Sequence, residues 1–112
     1  ALDGSTTVVR LGPRLDFQNA DHFKTLSRDL VSSGTRRVVL DFAQTEVLDS
    51  TGLGAIFSLY RRLNTLGGAM VLAGSTPQVE AMLTLTRTDR VFERYDTVED
   101  ARRALTDSEE GS

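Results

Sequence analysis

The sequence predicts an α/β domain built on a mostly parallel sheet, and three observations carry that expectation. Short β-branched and apolar runs alternate with segments whose apolar residues recur at helical spacing. Two of the runs, residues 37–42 and 69–73, are continuous rather than alternating, as in strands covered on both faces. Glycines stand where two helical patterns end, at Gly34 and at Gly67-Gly68. Strand–helix–strand units in series imply right-handed crossovers between parallel strands.

Taken in order, residues 1–5 read as a loose end and Thr6 to Leu11 as a β-branched strand. Gly12-Pro13 signals a turn, and Leu15-Asp16-Phe17 a short extended piece. Asn19 or Asp21 then caps a helix to about Ser33, with Phe23, Leu26, Leu30 and Val31 on its apolar stripe. After the buried strand at 37–42, residues 44–48 form a connection. The strongest helix runs from Thr51 to Leu66 on Leu53, Ile56, Leu59, Tyr60, Leu63 and Leu66. The second buried strand follows at 69–73. Thr76-Pro77 pairs a capping residue with proline at the first helical position, opening a helix to about Leu85. Val91 to Tyr95 reads as a last, more exposed strand, and Thr97 caps a final helix carrying Val98, Ala101 and Leu105. The acidic segment 106–112 is expected to fray.

At 112 residues the chain is one domain's worth, 1–112, with a single core. Its net charge of −3 and scattered arginines lack the basic footprint of a nucleic-acid binder. With no cysteine, thiolate metal sites and disulfides are excluded, and a reducing compartment is compatible. No apolar run approaches the roughly 18 residues of a membrane span, and the first residues lack the pattern of a signal peptide. A soluble cytoplasmic protein without membrane association is therefore expected.

Chemistry concentrates at Leu48-Asp49-Ser50-Thr51-Gly52-Leu53-Gly54, where a connection becomes a helix. The first-turn amides of a helix are unpaired and lie at the positive end of its dipole, so an anion or a phosphate is tolerated there. Gly52 and Gly54 each cost about 1 kcal/mol relative to alanine inside the first turn, which suggests a close approach to the backbone. A serine in this place can take a phosphoryl group without unfolding the domain. Plain capping explains the same residues and is favoured on the residues alone.

Enzymatic readings are poorer. Gly52-Leu53-Gly54 lacks the third glycine of a dinucleotide fingerprint, and neither Gly67-Gly68 nor Ala73-Gly74-Ser75-Thr76 has the lysine of a phosphate loop. Ser50 lacks the glycine two residues earlier that a nucleophile elbow needs. His22, the single histidine, reads as a surface residue of the first helix, and no metal constellation is evident. Asp16, Asp41 and Asp49 fall near strand ends and read as turn and capping residues more than a cation site. Phe57 and Arg61 lie four apart on the motif helix; Phe57 is either exposed or part of a wide buried face. No catalytic residue and no cofactor are expected.

Over nearly its whole length the chain resembles the STAS domain, specifically the stand-alone, SpoIIAA-like anti-sigma-factor antagonists. The resemblance rests on Arg14-Leu15-Asp16 with Asn19-Ala20, on residues 38–42, on the element at 48–54, on residues 67–73, on Pro77-Gln78-Val79 and on Asp89-Arg90-Val91-Phe92. It implies a mixed, mostly parallel four- to five-stranded sheet with four helices packed mainly on one face. It also implies a partner switch. A partner anti-sigma factor that is a serine kinase binds the unmodified form, phosphorylates Ser50 and is thereby released; a PP2C-type phosphatase resets the serine. By position Asp16, Asp49, Ser50, Thr51 and Gly52 lie at the partner-binding edge, and Phe57 and Arg61 on the same helix are further candidates. The chain would act as a monomer or weak dimer. The alternative is a constitutive STAS scaffold or an accessory subunit, for example in lipid transport, that never uses Ser50. Two loops depart from the family pattern: Pro13 stands where glycine is usual, and Thr86-Arg87 follows the third helix where Ser-Gly or Thr-Gly is common.

Overall fold

Apolar periodicity alternates between two faces along the central strands, and that alternation dictates the layers of the computed structural model, which describes residues 6–110. The strands are β1 (Thr7–Arg10), β2 (Arg14–Leu15), β3 (Arg37–Asp41), β4 (Val47–Leu48), β5 (Ala69–Ala73) and β6 (Arg94–Tyr95). The helices are α1 (Ala20–Ser32), α2 (Ser50–Thr65), α3 (Pro77–Leu85) and α4 (Val98–Glu110), with a 3-10 turn at Thr88–Arg90. Four strands form one sheet in the order β1-β3-β5-β6, and β2 pairs with β4 in a separate ribbon. Every pairing among the described residues is parallel, so the antiparallel member of a mixed sheet has no counterpart there.

Successive side chains of a strand point to opposite faces. Val38, Leu40, Met70 and Leu72 therefore face one cluster, with Phe23 and Val31 of α1, Ile56, Leu59 and Leu63 of α2, and Val79 and Leu83 of α3. Val39, Val71 and Ala73 face the other, with Ala101 and Leu105 of α4. Three helices on one face and one on the other is the expected arrangement, and it explains why residues 37–42 and 69–73 read as unbroken apolar runs. Gly34 and Gly67 take positive φ, 103° and 79°, where α1 and α2 end.

The structure departs from the sequence reading in three places. Residues 44–48 are more than a connection, since Val47–Leu48 forms β4. Two residues carry no periodicity, and the strand exists because Arg14–Leu15 lies beside it in register. The last strand is only Arg94–Tyr95. Phe92 instead turns into the helical core, its ring 4.9 Å from that of Phe57 and 5.2 Å from that of Tyr60, after the 3-10 turn anchored by buried Thr88. Finally, α4 runs to Glu110, although the acidic segment from Thr106 was expected to fray. The chain from Thr106 to Glu110 contains neither proline nor glycine, the two residues that break a helix most strongly. The loose end expected at 1–5, like residues 111–112, lies outside the described residues.

Arg87 is the one non-glycine residue with positive φ among the described residues, at φ 62° and ψ 21°, and it is solvent-exposed. It occupies the left-handed position of the loop in which the sequence departs from Thr-Gly. A left-handed non-glycine residue costs about 1–2 kcal/mol, partly offset by the roughly 0.5–1 kcal/mol of extra chain entropy that glycine loses on folding. Arg87→Gly is thus expected to raise unfolding free energy by up to about 1 kcal/mol in urea titration; a lowered midpoint at unchanged slope would contradict the strain.

Candidate functional site

The two short parallel strands β2 and β4 end side by side, Arg14 opposite Val47 and Leu15 opposite Leu48, and each chain then turns into a helix. Asp49 is the N-cap of α2, in extended backbone at φ −106° and ψ −179°. Its Oδ1 accepts the N–H of Gly52 at 2.8 Å. Its Oδ2 accepts the N–H of Phe17, thirty-two residues away, at 3.0 Å. One carboxylate therefore closes the start of α2 and ties the β2–α1 loop to it. Ionised acceptors make the stronger class of hydrogen bond, and the helix dipole adds to the first of the two.

The loop across from Asp49 is held just as fully. Asp16 N–H donates to Asn19 Oδ1 at 2.9 Å, and Gln18 N–H to Asp16 Oδ1 at 3.0 Å. Asn19 and Ala20 N–H donate to the Asp16 carbonyl at 3.1 and 2.9 Å. Asn19, at the N-cap of α1, makes no side-chain cap; its amide instead donates to the Arg14 carbonyl at 2.9 Å. Beneath the site, buried Thr45 donates from Oγ1 to the Gly12 carbonyl at 2.8 Å, and Thr76, the N-cap of α3, donates to the Thr45 carbonyl at 2.6 Å.

Ser50 and Thr51, the first two residues of α2, are exposed. The N–H of Gly52 is held by the Asp49 side chain and that of Leu53 by the Asp49 carbonyl at 2.9 Å. A group attached to the Ser50 hydroxyl therefore meets an amide turn already partly satisfied. Gly52 has the close approach expected of it: a Cβ there would collide with the Leu15 carbonyl oxygen. Gly54 does not, for nothing lies within 4 Å of its Cβ position. The expected constraint belongs to one glycine of the pair.

The other site residues separate by burial. Asp16 is 5% exposed, and its carboxylate serves the loop and lies 3.5 Å from Arg14 Nε. Gly52 is buried as well. Phe57 is half-buried, its ring 6.3 Å from that of Tyr60 in the cluster with Phe92, which settles for a wide buried face. Arg61 is exposed on the stripe that carries Ser50 but about 16 Å farther along the helix, at about 1.5 Å per residue. The structure thus gathers Asp16, Asp49, Ser50, Thr51 and Gly52 at one edge and leaves Phe57 and Arg61 down the helix.

The residue that sequence reading missed is Phe17. It stands 70% exposed next to Asp16. The extended piece expected at 15–17 stops at Leu15, and the turn that follows leaves the ring in solvent. Among the described residues no group of three His, Asp or Glu side chains converges as a metal site requires. Asp41 accepts the Ala43 N–H at 3.0 Å and pairs with Arg10 at 3.5 Å, while His22 lies exposed on α1. No helix among the described residues is long and apolar enough to cross a membrane.

The STAS domain family model matches residues 2–101. A Thermotoga maritima protein, provisionally named an anti-sigma factor antagonist, is 33% identical over 97 residues, covering 84% of this chain and 86% of the relative. Among solved structures, the phosphorylated form of the Bacillus cell fate determinant SpoIIAA superposes with a TM-score of 0.73 at 19% identity, covering 94% of this chain and 95% of that one. The STAS domain of a SulP transporter from Vibrio cholerae superposes with a TM-score of 0.76 at 16% identity, covering 100% and 89%. At those identities the two structures speak for the fold.

Two pairs of substitutions separate framework from surface. Gly52→Ala is expected to lower stability by about 1–3 kcal/mol through overpacking, whereas Gly54→Ala should raise it by up to about 1 kcal/mol through helix propensity. Asp49→Ala should cost about 1–2 kcal/mol as a lost cap, while Ser50→Ala stays within about 0.5 kcal/mol. Urea unfolding followed by circular dichroism measures all four; equal effects within either pair would refute the assigned roles.

Proposed function

We propose that this chain, which belongs to the STAS domain family, is an anti-sigma-factor antagonist controlled at Ser50. In this reading the unmodified chain binds an anti-sigma factor that is also a serine kinase. Phosphorylation of Ser50 releases that partner, a PP2C-type phosphatase restores the hydroxyl, and the exchange takes place in the cytoplasm. The observation that carries the reading is an exposed serine at the first position of α2, directly after a capping carboxylate that is already engaged on both oxygens.

In the transfer, the Ser50 oxygen bonds to the γ-phosphorus of ATP as the bond to the β–γ bridging oxygen breaks. ADP leaves, and the hydroxyl proton passes to a base on the kinase. This chain supplies the acceptor and its orientation; the chemistry belongs to the enzymes that act on it. The product carries about −1.5 to −2 charges beside Asp49. Since Gly52 and Leu53 already donate to Asp49, the new charge stays at the surface rather than tightening the helix start. A change of about 1–3 kcal/mol in partner affinity suffices for a switch, and like charge placed in a contact supplies it.

A second reading keeps the fold as a constitutive scaffold or accessory subunit in which Ser50 stays unmodified; a transporter's STAS domain shares that fold. The two part on one measurement. Incubation with ATP and the anti-sigma-factor kinases of the same genome, followed by intact-mass analysis, should show one phosphoryl group that Ser50→Ala abolishes and Thr51→Ala retains. An unmodified protein, or a phosphoryl group that survives Ser50→Ala, would overturn the switch.

A further inference from the structure

Five consecutive backbone N–H groups, from Asp16 to Ala20, are paired: with Asn19 Oδ1, Asp49 Oδ2, Asp16 Oδ1 and, twice, the Asp16 carbonyl. A short surface loop is rarely tied at every amide, because water serves such groups as well. On this fixed backbone stands a phenylalanine side chain that is 70% exposed. Exposed apolar residues are common singly; a large aromatic on a fully tied loop beside a modifiable hydroxyl is a narrower combination.

The register sets the two together. Leu15 pairs with Leu48. Two residues further along each chain are Phe17 and Ser50, and the Asp49 carboxylate reaches across to the Phe17 N–H. Aromatic side chains dominate protein interfaces because they bury much area for few rotors, and a rigid backbone lowers the ordering cost of binding.

We infer that Phe17 is the apolar anchor through which the kinase partner recognises the Ser50 edge, the partner presenting an apolar pocket beside the site of phosphoryl transfer. The inference rests on the reading of Ser50 given above. Asp49 is then a positioning residue that fixes the distance between anchor and acceptor hydroxyl. A phosphoryl group on Ser50 brings a strongly hydrated dianion to the rim of the contact that buries the ring, so modification and loss of the anchor act on the same surface.

The test uses the full chain and purified anti-sigma-factor kinases of the same genome, with affinity measured by calorimetry and Ser50 phosphorylation by intact mass. Phe17→Ala should weaken binding and slow phosphorylation by about ten-fold or more, with an unchanged thermal midpoint, and Phe17→Leu should recover part of both. Leu85→Ala, which trims the most exposed leucine, at the end of α3, should leave both unchanged. Wild-type binding and phosphorylation that persist in Phe17→Ala, or an equal loss in Leu85→Ala, would overturn the anchor while leaving the Ser50 reading intact. A wild-type chain that no kinase binds or phosphorylates would overturn both.

Discussion

The Asp49 carboxylate is the constraint on which the site depends. With one oxygen it closes α2 on itself at Gly52, and with the other it takes the N–H of Phe17 from the facing loop. Neither contact alone would define a surface. Together they tie the start of α2 to the loop that leads into α1. Asp16 works from the opposite side in the same way, buried and directed at its own loop. The two aspartates that the sequence presents alike therefore divide into a bridge between elements and a brace within one.

Below them lies a parallel sheet whose strands all carry the chain toward the same edge. Parallel order places the carboxyl ends of the strands and the amino ends of the following helices together, which is where ligand and partner sites of open α/β sheets collect. The ribbon of β2 and β4 adds a second, smaller platform at that edge. Its closeness to α2 requires a residue without a side chain at position 52, where the Leu15 carbonyl leaves no room for a Cβ. The buried threonines Thr45 and Thr88 belong to the same economy of short ties between loops, each oxygen paired within the protein rather than left to water.

Framework and signal are thereby kept apart. The residues that hold the edge are buried or half-buried and already bonded, while the hydroxyls of Ser50 and Thr51 face solvent. In the proposed switch, a charge added to such a hydroxyl leaves the capping bonds beneath it in place. Asp49 and Gly52 belong to the framework, and Ser50 and Phe17 are the exposed side chains beside it, Phe17 brought there by its N–H bond to the Asp49 carboxylate.

By itself the sequence determined whatever depends on neighbours in the chain. Apolar residues at three and four define α2, unbroken apolar runs announce β3 and β5 as strands covered on both faces, and Thr76-Pro77 opens α3 where its capping chemistry says. The element at 48–54 was legible as a helix start with a capping aspartate, and its likeness to a family singled out Ser50 as the proposed acceptor. Only tertiary structure decided the rest. A two-residue strand such as β4 has no period and exists only beside its partner. Gly52 and Gly54 look equivalent until the Leu15 carbonyl approaches one of them. Asp16 is buried and the neighbouring Phe17 ring exposed, in a loop that a carboxylate thirty-two residues away holds. Local patterns report on local geometry; contacts between distant segments leave no period to read, and this site is made of such contacts.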